Sequence, residues 1–391
     1  MTKSLSQLKV DAAAIAANTR WFADRTAGGL LAVVKADAFG HGDVVRTVTR
    51  AGATWLGVAT LDEAFRVRAV DANTPLICWL TSPSDDFDAA VRQRIDVAVP
   101  SAAHLHALAA AGRRAGVAAR VHLHIDVGMG RDGTPVGEWS PLCSIARHHE
   151  RTGAVDVVGI MGHLSSADLP GSPQTRIEGM VFANALRTAV RRGLRPRVRH
   201  LAATAAIITG AAKGHNLARI GAGLYGIDPS NTSDVLMPAL ELTTRVVHAH
   251  GARAHTGVGY GHDYVTAGPT RLALLPLGYA DGLPRSAAGR AEVLIRGRRR
   301  PLVGRFSMDM VVVDTGTDSV QPGEPVTVFG TGDDGAPTVT EWARWAGTIP
   351  HEIVTGIGTR VTRVPNVDVP SATERPAPVP HREKVAHGSL A

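Results

Sequence analysis

Between residues 30 and 221 the chain repeats one pattern: a short run rich in Val, Ile, Leu and Ala, then a longer stretch with mixed polarity. The apolar runs at 30–35, 55–59, 76–80, 96–100, 119–126, 155–162, 197–202 and 216–221 predict eight strands. Leu30, Leu31, Val33 and Val34 leave no polar positions between them, which is the pattern of a strand covered on both faces. Intervening stretches such as SAAHLHALAAAGRRAG (101–116) and PQTRIEGMVFANALRTAVRRG (173–193) read as helices, and another is predicted at 11–25. Regular strand–helix alternation predicts a parallel sheet. Eight units predict an α/β fold of the closed (β/α)8 barrel type, with an open doubly wound sheet as the alternative; no GxGxxG follows the first strand.

From about Val235 the pattern changes to strands broken by Gly and Pro at close intervals: LELTTRVVHAH, RLALLPLGYADG, AEVLIRG, VVVDTG and PVTVFG. This predicts a mainly β second domain, with one clear helix at 338–347. The expected division is a barrel over 9–233 and a β domain over 234–365, joined by residues 1–8, with a Pro-rich disordered tail at 366–391.

Composition narrows the function classes. At 391 residues and 44% hydrophobic content the chain can bury a substantial core. No apolar run is long enough to span a bilayer, and the N-terminus lacks a signal-peptide core, so a cytoplasmic location is expected. Two cysteines, Cys78 and Cys143, are too few for a disulfide framework and read as core thiols. The net charge of +7 gathers in RRGLRPRVR (191–199) and RGRRR (296–300), but neither cluster carries interleaved aromatics. Solvated faces are expected there, not a nucleic-acid surface. His122, His124 and Asp126 alternate along one strand, which barrel packing explains without a metal site.

Chemistry in a barrel sits where strands end and the following loops begin. Lys35 ends the first run and leads straight into a Gly-His-Gly turn; Arg131 follows the fifth strand, His163 the sixth, His200 and Thr204 flank the end of the seventh, and Arg219 lies in the eighth. Thr204, Gly221 and Ala222 suit an anion cradle, since small residues let backbone N–H groups face a phosphate. A lysine amine beside a phosphate cradle can hold a phosphorylated aldehyde as a Schiff base, as pyridoxal phosphate is held.

The stretch AVVKADAFGHG closely resembles the lysine motif of the alanine racemase family, and DVGMGR, HLSSAD, ARIGAGLYG, VGYG, LGYADG and GRFSMD resemble further motifs of that family in the same order. The resemblance implies a (β/α)8 barrel followed by a β domain, pyridoxal 5'-phosphate as cofactor, an amino-acid substrate and a head-to-tail homodimer with composite active sites. It implies that Lys35 carries the cofactor and moves a proton on one face of Cα, while Tyr260 from the partner subunit serves the opposite face. A phenol ionises only near pH ~10, so Tyr260 needs positive neighbours; His163 and Arg219 are implied in that role. Arg219 at the pyridine nitrogen donates a hydrogen bond where aminotransferases place a carboxylate, which favours returning the proton to Cα. Arg131 is implied at the cofactor's phenolic oxygen and the substrate carboxylate, with Tyr279 and Met308 from the other subunit.

Four positions depart from the family pattern. Phe39 and His351 stand where tyrosines are usual, Ala203 replaces an asparagine, and His124 takes the place of a lysine that many members carbamylate. Three readings follow: a racemase of alanine, a related racemase or epimerase of another amino acid, or a non-catalytic cofactor binder. Keeping both Lys35 and Tyr260 argues against the third.

Overall fold

A computed structural model describes residues 5–26, 28–211 and 215–365. The predicted Pro-rich tail lies outside the described residues. All eight predicted strands of the first half form, as Leu30–Val33, Trp55–Val58, Leu76–Cys78, Ile95–Val99, Ala119–His124, Val155–Met161, Val198–His200 and Ala218–Ile220. Each pairs in parallel with the next, and the last pairs with the first through Leu30↔Ala218, Leu31↔Arg219 and Ala32↔Ile220. Between the seventh and eighth strands the ladder is reduced to one bridge, Ala203↔Arg219, with the Arg219 N–H donating to Ala202 O at 3.0 Å. That seam closes the sheet into a barrel, and the open-sheet alternative falls.

The predicted helices shorten by a residue or two at their ends, to Ala12–Ala23, Ala102–Ala115 and Pro173–Arg191. Asp11 and Ser101 cap the first two with side-chain oxygens, and Gly116 ends the second in the left-handed conformation its missing Cβ permits.

The second half builds a nine-stranded sheet, into which the N-terminal strand Gln7–Val10 is inserted between Leu240–Arg245 and Thr362–Pro365. The predicted helix at 338–347 appears as Val339–Ala346, capped by a reciprocal Thr338–Glu341 box, with Trp342 fully buried. A second helix, Pro350–Gly356, was not foreseen. Its seven residues include β-branched Ile353, Val354 and Thr355, too short and too poor in helix formers to announce themselves; packing holds it. Its backbone lies against the turn after the first barrel strand, where a Cβ on Gly40 would stand 2.5 Å from Val354 O. This helix brings His351 to the rim of the barrel.

The two basic clusters differ. In 296–300 Arg299 meets Glu341 at 2.6 Å, and Arg296 and Arg300 pair with Glu324 and Asp318. In 191–199 Arg197, 2.7 Å from Asp156, is the one arginine with an ion pair among the described residues.

Candidate active site

Where the barrel strands end, a cavity of about 900 Å³ opens, lined by residues from most of the strand–helix loops and by His351 and Thr355. Lys35, Arg131, His163, Thr204, Arg219, Gly221, Ala222 and His351 all border it.

Lys35 does not extend the first strand, which stops at Val33. It opens a turn in which Ala36, Asp37, Ala38 and Phe39 all adopt left-handed backbone angles, φ between 51° and 55°. Such residues cost about 1–2 kcal/mol apiece, so the turn must be held from outside. Glu63 does much of this: one carboxylate oxygen accepts the Ala36 N–H at 2.7 Å, and the other accepts those of Ala59 and Thr60 at 2.8 and 3.2 Å. His41 donates from Nδ1 to Ala38 O at 2.9 Å, and Arg363, from the strand Thr362–Pro365, donates to Gly40 O at 2.7 Å. Burial first, and then the positive Arg131, hold the Lys35 amine below its ordinary pKa, with Glu63 pulling the other way. An amine so placed is nucleophilic at lower pH than a surface lysine.

Arg219 is buried, and its guanidinium is almost fully committed. One terminal nitrogen donates to His200 O at 2.7 Å and approaches His200 Nδ1 at 3.4 Å; the other donates to Gly162 O at 2.7 Å and His163 Nδ1 at 3.0 Å. The Nε–H is the donor left for the cavity. Because His163 Nδ1 accepts, that ring carries its proton on Nε2. Burial, followed by Arg219 and Arg131, pushes the His163 pKa down to about 3, so the ring is neutral. Contrary to the expectation from the sequence, it supplies no positive charge for Tyr260; of the two residues expected in that role only Arg219 is a cation. Among the described residues Arg131 has no hydrogen-bond partner, which leaves its whole fork free for an anion.

Thr204 and Ala222 each begin a short helical turn at the cavity wall. Thr204 Oγ1 accepts the Gly223 N–H at 3.2 Å, which leaves its hydroxyl proton to donate elsewhere. A Cβ at Gly221 would lie 2.9 Å from the Phe39 ring, so only glycine fits there. The Phe39 ring packs against Tyr225 and His351, with centroids 4.9 and 5.9 Å away. His351 Nδ1 is buried without a hydrogen-bond partner among the described residues.

Of the remaining predicted residues, His200 does not line the cavity; it sits fully buried behind Arg219. Tyr260, Tyr279 and Met308 belong to loops of the β sheet and are 70%, 43% and 53% exposed, away from this cavity in the single chain. The alternating set His122, His124 and Asp126 separates: His122 turns to Asp96 and His200, while Asp126 accepts the N–H groups of Gly128, Met129 and Gly130. His124 borders the cavity with Nδ1 3.4 Å from the Asp132 carboxylate. Glu63, Asp96 and Arg363 escaped the sequence reading, in which His122 figured only as part of the barrel packing. The signal available for Asp96 and His122 was a polar residue inside a buried strand, Asp96 in IDVAV and His122 in ARVHLH.

A closed (β/α)8 barrel with a buried-face lysine at its strand ends, flanked by unspent cationic and N–H donors, defines a barrel protein equipped for carbonyl and anion chemistry. The chain belongs to the alanine racemase family: the family's N-terminal domain matches residues 10–229 and its C-terminal domain residues 239–365. It is 43% identical to the alanine racemase of Salinispora tropica, covering 92% of this chain and 97% of that one. Among solved structures it is similar to the alanine racemase of Streptomyces coelicolor, with a TM-score of 0.91, 40% identity, and 93% and 99% of the two chains covered. It is also similar to the alanine racemase of Bartonella henselae with covalently bound pyridoxal phosphate, with a TM-score of 0.83, 25% identity, and 92% and 99% covered.

Proposed function

We propose that the protein is a pyridoxal-phosphate-dependent racemase that interconverts L- and D-alanine, working as a cytoplasmic homodimer whose sites are shared between subunits. The observation that carries this reading is the donor set around the cavity at the strand ends: the Lys35 amine, the free Arg131 fork, the lone Arg219 Nε–H, the unpartnered His351 Nδ1 and the Thr204–Ala222 wall. An aldehyde on an aromatic ring with a ring nitrogen, a phenolic oxygen and a phosphate fits those donors group by group. The cofactor's contribution when bound is to draw the electrons of the substrate Cα–H bond into its ring.

Lys35 Nζ would hold the cofactor and then move a proton on one face of Cα. Arg219 can only donate at the ring nitrogen, because a guanidinium has no proton it readily gives up. The neutral ring of His163 would offer its Nε2–H to the phenol expected at the opposite face. Arg131 would fix the substrate carboxylate. Tyr260, as the second base, together with Tyr279 and Met308, would come from the partner; their exposure as a polar–aromatic group supports a face that a second subunit covers. Two bases on opposite faces are what inversion requires, since a proton taken from one side must be returned from the other.

One observation favours a second reading, a racemase of a larger or more polar amino acid. Phe39 offers no hydroxyl, and His351 leaves an unpaired nitrogen at the rim. Incubating purified holoenzyme in D2O with a panel of L- and D-amino acids, and following α-deuteron incorporation and optical rotation, tests both. Exchange and inversion fastest with alanine support the first reading; a higher kcat/KM for another amino acid overturns it; no exchange with any amino acid rejects both.

A further inference from the structure

Behind the cavity wall a line of hydrogen bonds runs through the barrel interior. Arg120 donates to both Asp96 oxygens, from Nε at 2.6 Å and from a terminal nitrogen at 3.0 Å. Asp96 Oδ2 lies 3.1 Å from His122 Nε2, His122 Nδ1 lies 2.9 Å from His200 Nε2, and His200 Nδ1 faces Arg219 at 3.4 Å. Asp96, His122 and His200 are at most 1% exposed. Room for the His122 ring is reserved by Gly159, where a Cβ would stand 2.5 Å from His122 Nδ1.

The ends of this line dictate its middle. A carboxylate only accepts, so His122 donates from Nε2. At the other end Arg219 only donates, so His200 Nδ1 must accept, which leaves the His200 proton on Nε2 and makes His122 Nδ1 its acceptor. Each imidazole is satisfied as a neutral ring in one tautomer and in no other.

We infer that Asp96 and His122 are positioning residues that act through His200 to set the orientation of Arg219, on which the proposed racemase reading depends. If the proton of His200 moved to Nδ1, two donors would face each other at 3.4 Å and the guanidinium would have to turn. Its Nε–H would then leave the cavity. Asp96 also supplies a negative end to a line whose other end is a cation without a carboxylate partner of its own, since Arg219 appears in no ion pair among the described residues.

The test is ¹⁵N NMR of the histidine rings in the full-length holoenzyme, with His122→Phe and His200→Phe for assignment. The unmodified protein should show both rings neutral and protonated on Nε2. In Asp96→Asn the amide can donate where the carboxylate could not, and the tautomers of both rings should mix or invert. Cofactor retention on dilution should weaken about ten- to a hundredfold, and kcat should fall with little change in KM. A Nδ1-protonated His200 in the unmodified protein overturns the inference, and that measurement stands even if the variant does not fold. Unchanged tautomers and cofactor retention in Asp96→Asn, with only a lowered melting temperature, would reduce Asp96 to a structural role. The ring tautomers are read without any turnover, so a failure of the racemase reading remains distinguishable from a failure of the relay.

Discussion

His351 offers the sharpest test at the scale of single residues, because its unpartnered Nδ1 can serve either the cofactor or the substrate. If it anchors the cofactor, His351→Tyr should tighten retention, by about tenfold for one restored hydrogen bond to a charged group, and leave the ranking of amino acids alone. If it sets specificity, the larger ring should raise the preference for alanine over serine and longer side chains, read as kcat/KM ratios at saturating cofactor. A second residue-scale prediction follows from the buried imidazoles. Burial holds His41 at about 4 and His163 at about 3, and His200 well below its ordinary value. Unfolded, each would titrate near ~6.5. These pKa values are depressed by folding, so as pH falls below the unfolded value the unfolded chain takes up protons that the folded one refuses. Stability from these groups is therefore whole above pH ~6.5 and lost as pH drops toward the folded values. With about three such protons, urea unfolding should lose roughly 4 kcal/mol per pH unit near pH 5. A flat profile from pH 7 to 5 would contradict the neutral, buried assignment.

At the scale of elements, the Lys35 turn is strained by its own sequence and held by distant residues. Glu63→Ala removes the acceptor of three backbone N–H groups, and should cost about 1–3 kcal/mol while loosening the cofactor-bearing lysine. Ala36→Gly, at an exposed left-handed position, should instead raise stability by about 1 kcal/mol; urea midpoints of both variants check the pair. The strand–helix rhythm of the barrel was legible because burial on two faces requires apolar runs, and the caps Asp11, Ser101 and Thr338 sit where side-chain oxygens are needed. The left-handed turn was not legible. Nothing in KADAF signals positive φ, since the residues prefer right-handed helix and only outside contacts reverse them. The helix Pro350–Gly356 was hidden for a related reason: its stability comes from packing on the barrel rim and not from its own seven residues.

At the scale of the whole molecule, the distribution of functional groups predicts that no single chain is active. Lys35 borders the cavity, while Tyr260 stands exposed on the β sheet's loops. Lys35→Ala should lose the borohydride-reducible bond to the cofactor and all racemisation; Tyr260→Phe should keep the cofactor and slow α-proton exchange of one enantiomer far more than the other. Mixed under conditions of subunit exchange, the two inactive proteins should regain activity, because one composite site of a mixed dimer carries both lesions and the other carries neither. No recovery despite demonstrated exchange would place each complete site within one chain. The sequence by itself determined the alternation that makes a barrel, the motif order that marks the family, and the residue types at the strand ends, because these are set by local pattern and by chemistry carried on single side chains. Only the tertiary structure decided which donors remain unspent. Arg219 reads in the sequence as a guanidinium with five donors; the folded chain assigns all but its Nε–H to His200, His163 and backbone carbonyls. Asp96 and His122 read as polar residues in buried strands, and become a line of fixed proton positions only when three barrel strands bring Asp96 to His122 and His122 to His200. Hydrogen-bond direction is a property of pairs, and pairs separated by 26 and 78 residues are made by folding alone.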